Sequence, residues 1–242
     1  MLYYYGKNMK KTPELSIFFP FWNEEKNIRS VVEKAVVVAK KVAKKWEILM
    51  IDDGSSDKTP TIGRELERKY NEVKLIRHEP NRGYGAALKE GLTKAKYDLV
   101  VFTDGDGQFD FSQVEKFLDK LNGNDMVIGF RSVRRDSLVR HLLMLYLKIH
   151  DLVLFGFKFR DIDCGFKLFT KKAIKSIMPL KSEGAMITTE ILAKAKRKGL
   201  KIVEVSVNHY PRKFGIQSGA NLRVLIRALR ESLELWQELR KQ

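Results

Sequence analysis

The sequence predicts an α/β protein built on a doubly wound, mainly parallel sheet, with a second half that mixes helices and strand. Three observations carry this. Short apolar runs alternate with amphipathic stretches from residue 15 to residue 129, the pattern of parallel strands joined by helical crossovers. Acidic and amide-rich clusters follow three of those runs, at residues 20–24, 52–57 and 104–108, and ligands on such sheets gather beyond the carboxyl ends of the strands. The length of 242 residues suits one α/β domain with a sizeable core.

Each element has its own warrant. Residues 15–20 (LSIFFP) form an apolar strand, which Pro20 ends because it lacks an N–H for the ladder. Residues 25–45 place Ile28, Val31, Val32, Ala35, Val38, Ala39 and Val42 at helical spacing. Residues 47–51 (EILMI) are a second strand, 59–70 a helix, 73–77 a third strand, and 83–95 a helix opened by glycines. Residues 98–103 (DLVVFT) are a fourth strand, 111–121 a helix and 125–129 a fifth strand. The second half predicts a long amphipathic helix over 138–157, a helix over 185–198, an alternating strand over 201–207 and a closing helix over 221–240. The expected organisation is a flexible tail over residues 1–12 and one domain over 13–242, its first part (to 130) binding a nucleotide and its second (131–242) building the acceptor side.

Composition removes several classes. One cysteine, Cys164, excludes an intramolecular disulfide framework and a cysteine-rich zinc site. No run of 18 apolar residues predicts a bilayer span. The short, basic, aromatic N-terminus has no apolar leader core, so a cytoplasmic location is expected. The net charge of +16 favours anionic partners: nucleotide phosphates, nucleic acid or an acidic membrane face. Amphipathic residues 138–159 and 221–240 carry basic side chains beside apolar ones. Such helices either pack on their own core or lie peripherally on an anionic membrane face.

Chemistry concentrates after the strands. Asp104 and Asp106, two residues apart with glycines between, can face one ligand across a turn, and Gln108 adds an amide oxygen. These are hard oxygen donors for Mg²⁺ or Mn²⁺, and such an ion would neutralise charge on a leaving diphosphate. The bland alternative is a polar turn capping a helix. Asp52 and Asp53 could accept from a base or a ribose, while Ser55, Ser56 and Asp57 could cap the next helix. Pro20, Trp22, Asn23 and Glu24 follow the first strand, where an aromatic ring can cover a base. Arg82 opens the glycine-rich helix start and suits a phosphate.

In order, the motifs P-x-x-N-E, D-D-G-S-S-D, N-R-G-x-G-x-A, D-G-D-G-Q, D-x-x-C-G-F-K and R-x-x-G-x-x-S resemble those of family 2 glycosyltransferases with the GT-A fold. More narrowly, they are similar to polyprenyl-phosphate sugar synthases, and the likeness runs from Leu15 to Ser218. The resemblance implies a nucleotide-diphosphate hexose donor (uridine or guanosine), a lipid monophosphate acceptor and inversion at the sugar carbon. It places Pro20, Asn23 and Glu24 around base and ribose, and one of Asp52 and Asp53 on the base. Asp104, Asp106 and Gln108 fall at the metal, with Asp106 the direct ligand. Lys167, in Asp161–Lys167, falls on the acceptor side, where Glu190 either orients Arg212 or a sugar hydroxyl or is a satisfied helix carboxylate. Arg212 and Ser218 fall in a loop that closes over the diphosphate. Arg131 and Arg140 are candidates for the acceptor phosphate, with Arg134 and Arg135 competing. A phosphate with a second pKa of ~6 needs no general base at neutral pH, so none is expected.

Three other readings compete. A nucleotidyltransferase would carry a glycine-rich, lysine-containing signature after the first strand, which residues 20–24 lack. A nucleic-acid-binding protein fits the charge, but no helix-turn-helix, finger or RNP signature appears, and nucleic acid is not an expected partner. An inactive sugar-nucleotide-binding scaffold would be expected to lose acidic motifs that are intact here.

Overall fold

The computed structural model describes residues 11–132, 152–156, 158–215 and 222–241; in the last stretch, side chains are described from Arg230 on, except Glu238 and Lys241. Seven strands form one sheet: β1 (Thr12–Phe21), β2 (Ala43–Asp52), β3 (Val73–Arg77), β4 (Leu99–Thr103), β5 (Met126–Arg131), β6 (Phe166–Thr170) and β7 (Ile202–Val207). Their order is β3-β2-β1-β4-β6-β5-β7. All neighbours are parallel except β6, which runs antiparallel to both β4 and β5. The helices are α1 (Ile28–Val42), α2 (Thr59–Lys69), α3 (Tyr84–Lys94), α4 (Val114–Lys120), α5 (Lys171–Ile177), α6 (Ile187–Arg197) and α7 (Leu222–Lys241), with a 3₁₀ turn at Phe111–Gln113.

Both sheet faces are covered, as near-continuous apolar strands require. On one face Ile17, Phe19, Ile48, Met50, Val101 and Val127 meet α1, α2 and α4 through residues such as Val32, Leu66 and Phe117. On the other, Phe18, Leu49, Val100, Phe102 and Ile128 meet α3, α5 and α6 through residues such as Leu88, Ile174 and Ile191. Consecutive strand residues thus serve opposite cores, the period-2 consequence of the pleat. Leu235 and Leu239 of α7 are buried in the second core, so its described part packs on the protein, with Leu233 exposed.

The structure departs from the sequence expectations in several places. Thr12 already pairs with Ala43, so the sheet claims the last residue assigned to the tail; residues 1–10 lie outside the described set. Pro20 does not end β1: Pro20 and Phe21 continue opposite Ile51 and Asp52, beyond Phe18, where pairing with β4 stops. The helix expected over 111–121 is split into the 3₁₀ turn and α4. Strand β6 and helix α5 were not anticipated, because a lysine as the second residue of FKLFT hides a strand buried on both faces. Of the long helix expected over 138–157, residues 152–155 are helical and Gly156, at φ +64°, is not; residues 138–151 and 157 lie outside the described set. No helix among the described residues is long and apolar enough to cross a membrane.

Candidate active site at the carboxyl edge of the sheet

The parallel strands bring the segments after β1, β2, β3, β4, β5 and β7 to one edge, and antiparallel β6 delivers the segment before it to the same edge. At one end of that edge the segments after β1, β2 and β3 interlock. Asn23, in a left-handed conformation that asparagine tolerates, donates its N–H to Ser55 Oγ and accepts from Ser56 N–H at 2.9 Å. Asp57 accepts from Thr59 N–H at 2.9 Å and Glu25 N–H at 3.0 Å, so it secures the start of α2.

The two adjacent aspartates here have different fates. Asp53 is buried and spends its carboxylate on the protein: Arg82 N–H at 3.0 Å, Gly83 N–H at 2.8 Å and His78 Nδ1 at 2.7 Å. Asp52 is fully buried, and its Oδ2 has no hydrogen-bond donor; the Arg77 guanidinium lies 3.3 Å away as an ion pair. Burial pushes the Asp52 carboxyl up from its ordinary value, against donation from Ser55 and the charge of Arg77. A buried acceptor without a donor is costly, and of the pair Asp52 is the one whose carboxylate keeps an oxygen without a donor. Trp22 is exposed beside this end, and Arg82 is exposed at the mouth of α3.

At the other end stands the turn after β4. Asp104 receives the Tyr84 hydroxyl at 2.8 Å, and its other oxygen packs on Gly165, where a β-carbon would lie 2.0 Å from it. Only glycine fits at 165. Burial, then the charge of Asp106, pushes the Asp104 carboxyl up to about 7, opposed by the Tyr84 hydrogen bond and the charges of Lys167 and Arg131. Asp106 accepts from Gln108 N–H at 3.0 Å and faces Arg212 Nη1 at 3.5 Å. Arg212 also forms an ion pair with Glu24, which is buried and takes the Asn27 amide at 2.6 Å. Glu24, Asp106 and Arg212 therefore meet from the ends of β1, β4 and β7. Glu24 thus links the two ends: its carboxylate reaches Arg212, and its N–H donates to Thr59 Oγ1 at 2.8 Å. Gln108 donates its side-chain amide to Tyr210 O at 2.8 Å, tying the turn to the segment that carries Arg212.

The remaining candidates act inside the protein. Arg131 forms a two-pronged pair with Asp161, Nε at 2.7 Å and Nη2 at 2.9 Å. Lys167, expected on the acceptor side, is fully buried within β6; its ammonium donates to Ile162 O and Cys164 O, closing the loop of residues 161–165. Burial pulls its pKa down, opposed by neighbouring acidic groups. Glu190, expected to orient Arg212 or a sugar hydroxyl, is likewise spent: Lys194 at 2.7 Å, Lys181 N–H at 2.9 Å and Ser182 N–H at 2.8 Å occupy it. Cys164 is buried, with its thiol pushed up to about 12 by burial, so it is a packing residue. Arg134, Arg135, Arg140 and Ser218 lie outside the described residues. Tyr84 and Asp161 are the neighbours that sequence reasoning did not single out as site residues; both sit inside quoted motifs, but their partners, Asp104 and Arg131, are remote in sequence.

The family model described as glycosyl transferase family 2 matches residues 16–178. The chain belongs to family 2 of the glycosyltransferases. A dolichyl-phosphate beta-glucosyltransferase of Dictyostelium discoideum is 34% identical over 225 residues, covering 84% of this chain and 68% of its own. The enzyme of the same name from Saccharomyces cerevisiae is 32% identical over 222 residues, covering 80% and 66%. The chain thus spans about two thirds of the length of these relatives. A crystal structure of glucosyl-3-phosphoglycerate synthase from Mycobacterium tuberculosis, in complex with Mn²⁺, UDP and glucosyl-3-phosphoglycerate, superposes with a TM-score of 0.66 at 20% identity, covering 92% of this chain and 78% of that one. This glycosyltransferase therefore has a GT-A-like fold, a seven-stranded mixed sheet covered by helices.

The glycosyltransferase's own donors can be tested against a divalent ion. Among the described residues no three of His, Cys, Asp and Glu converge as a ready cage. Mg²⁺ and Mn²⁺ do not need one: they take one or two carboxylates together with substrate phosphates. Asp106, Gln108 and Asp104 are hard oxygen donors in one turn, and the place beside Asp106 already holds a positive group, the Arg212 guanidinium. The residues fit.

Proposed function

We propose that this glycosyltransferase moves a glucosyl unit, with inversion, from a nucleoside-diphosphate sugar to a dolichyl- or polyprenyl-type lipid monophosphate. The observation that carries the reading is the meeting of Asp106, Glu24 and Arg212 at the carboxyl edge of the sheet, from segments as far as 188 residues apart. Such a constellation suits a diphosphate and its counter-ion. The names of the Dictyostelium and yeast relatives support glucose and dolichyl phosphate. The UDP in the Mycobacterium structure supports uridine, as does the buried free acceptor on Asp52, which suits the N–H of a uracil ring.

Asp52 would take the base, with Pro20, Trp22 and Asn23 beside it, while Asp53 holds the turn before α3. Asp106, with Gln108 and Asp104, would hold Mg²⁺ or Mn²⁺, which when bound neutralises the developing charge of the leaving diphosphate. Arg212 adds a second positive charge to that diphosphate. The acceptor phosphate oxygen forms the new bond to the anomeric carbon as the bond from that carbon to the diphosphate oxygen breaks, and the electron pair leaves with the nucleoside diphosphate. The phosphate is already largely a dianion at neutral pH, so no proton has to be removed. With Arg131 committed to Asp161, the arginines that follow it in sequence, Arg134, Arg135 and Arg140, are the candidates to supply positive charge for the acceptor. Positioning and charge stabilisation then account for the rate. A lipid acceptor would bring the protein to a membrane surface.

The test is calorimetric titration with UDP and GDP, with and without Mn²⁺, followed by transfer assays from the preferred sugar nucleotide. Mn²⁺-dependent binding of UDP and transfer to a short polyprenyl phosphate are expected. Binding of neither nucleotide by the folded protein overturns the reading, and transfer to 3-phosphoglycerate in place of the lipid would move the acceptor to a small phosphate.

A further inference from the structure

We propose that Glu24 belongs to the cation end of the site, where it and Asp106 form one seat occupied in turn by the Arg212 guanidinium in the ligand-free protein and by the divalent ion when the donor is bound. The inference rests on the glycosyltransferase reading above and adds to it a role for Glu24 and an exchange.

The two carboxylates are built alike. Each fixes one oxygen on a local amide: Glu24 Oε2 on Asn27 Nδ2 at 2.6 Å, Asp106 Oδ1 on Gln108 N–H at 3.0 Å. Each presents its other oxygen to the same guanidinium, Glu24 Oε1 to Nη2 and Asp106 Oδ2 to Nη1. Glu24 is only 7% exposed. Two carboxylates at such a place require a positive partner, because a buried unpaired charge is costly. Arg212 supplies it now. It cannot satisfy this pair and embrace a diphosphate at the same time, so its move to the donor leaves a vacancy that a divalent ion fills.

The segment carrying Arg212 is shaped around the same guanidinium. Arg212 Nε donates to Phe214 O at 2.7 Å, and Gly215, at φ +83°, lies so close that a β-carbon there would sit 2.7 Å from Nη2. Glycine at 215 lets the backbone fold over its own arginine, which gives a physical reason for the R-x-x-G spacing. A side chain at 215 would drive the guanidinium off the carboxylates.

The exchange makes an unusual demand on a residue that serves catalysis: its removal must improve ion binding. Mn²⁺ titration followed by electron paramagnetic resonance, on the full chain without nucleotide, reads this directly. Arg212→Met is expected to bind Mn²⁺ at least about fivefold more tightly than the wild type, the lower end of ordinary coupling between linked ligands. Gly215→Ala, which keeps the arginine but displaces it, is expected to shift affinity in the same direction. Glu24→Gln is expected to weaken Mn²⁺ binding severalfold and to blunt the gain from Arg212→Met in the double variant. Circular dichroism establishes that each variant is folded. Mn²⁺ binding no tighter in either Arg212→Met or Gly215→Ala overturns the exchange, and unchanged affinity in Glu24→Gln removes Glu24 from the seat. Wild-type binding of UDP with Mn²⁺ in the same titrations separates the cases: if it is present, only the exchange has failed; if it is absent, the glycosyltransferase reading fails too.

Discussion

The two ends of the carboxyl edge are held together in different ways. Around Asp53 the polar groups are committed to the protein: one carboxylate gathers two backbone N–H groups and a histidine nitrogen, each at 3.0 Å or less. Around Asp106 the ties run between charged side chains, with Arg212 shared by two carboxylates and one contact as long as 3.5 Å. The first end is a finished frame that leaves Asp52 Oδ2 without a hydrogen-bond donor. The second is held by ion pairs, which on the proposed function separate when phosphate and metal arrive. On that reading, recognition rests on backbone geometry, and the charge-handling chemistry on ion pairs that can be exchanged.

The strongest way to break this contrast is at Asp106. Asp106→Ala is expected to lower transfer by about 10²–10³-fold, the range for removing one group that stabilises developing charge, with little change in unfolding free energy. Steady-state transfer assays and urea unfolding check the two halves of that statement. Asp53→Ala should do the reverse. It strips three donors of their acceptor, so a loss of about 2–3 kcal/mol in stability is expected, measured from the unfolding midpoint. If Asp53→Ala were as stable as the wild type and as inactive as Asp106→Ala, the two ends would not differ in kind.

Glu190 sharpens the comparison from outside the site. Burial works against its charge, but donation from Lys194, Ser182 and Lys181 outweighs burial and holds the carboxyl below its ordinary 4.5. A depressed acid stabilises the fold above its unfolded value and loses that contribution as pH falls through the folded value. Glu190→Gln should therefore cost about 1–2 kcal/mol near neutral pH, and the gap from the wild type should close below pH 4.5. Unfolding curves across pH test this, and an equal gap at all pH would show that the carboxylate's charge has no part in it.

The frame was largely legible in the sequence. Alternating apolar runs and helical periods located five parallel strands and their crossovers, and the strand order then places the polar clusters together without further information. What stayed hidden was pairing across distance. Nothing local says that Glu24 meets Arg212, or that Asp161 grips Arg131. Lys167 misled for a related reason: a lysine in a motif reads as a ligand group until neighbouring strands enclose it and carbonyl oxygens of its own loop receive it. Glu190 was half legible, since Lys194 lies four residues on at ordinary helical spacing, but its N–H partners at residues 181 and 182 belong to the turn before the helix.

The reversed direction of β6 has a consequence for how such proteins diversify. Strand β5 leaves the sheet at Arg131, and β6 re-enters it at Phe166 as its immediate neighbour. The two strands pair from Met126–Phe169 to Ile128–Lys167, at a spacing of roughly 4.8 Å, and the chain between them leaves and returns at the carboxyl edge. A hairpin graft has the same geometry. An exchange of residues 132–160 would leave the sheet order unchanged, provided the splice leaves Arg131 with Asp161 and Gly165 against Asp104. On the proposed function, the residues assigned to the donor lie outside 132–160, so one partner of the reaction could be rewritten while the other is inherited intact.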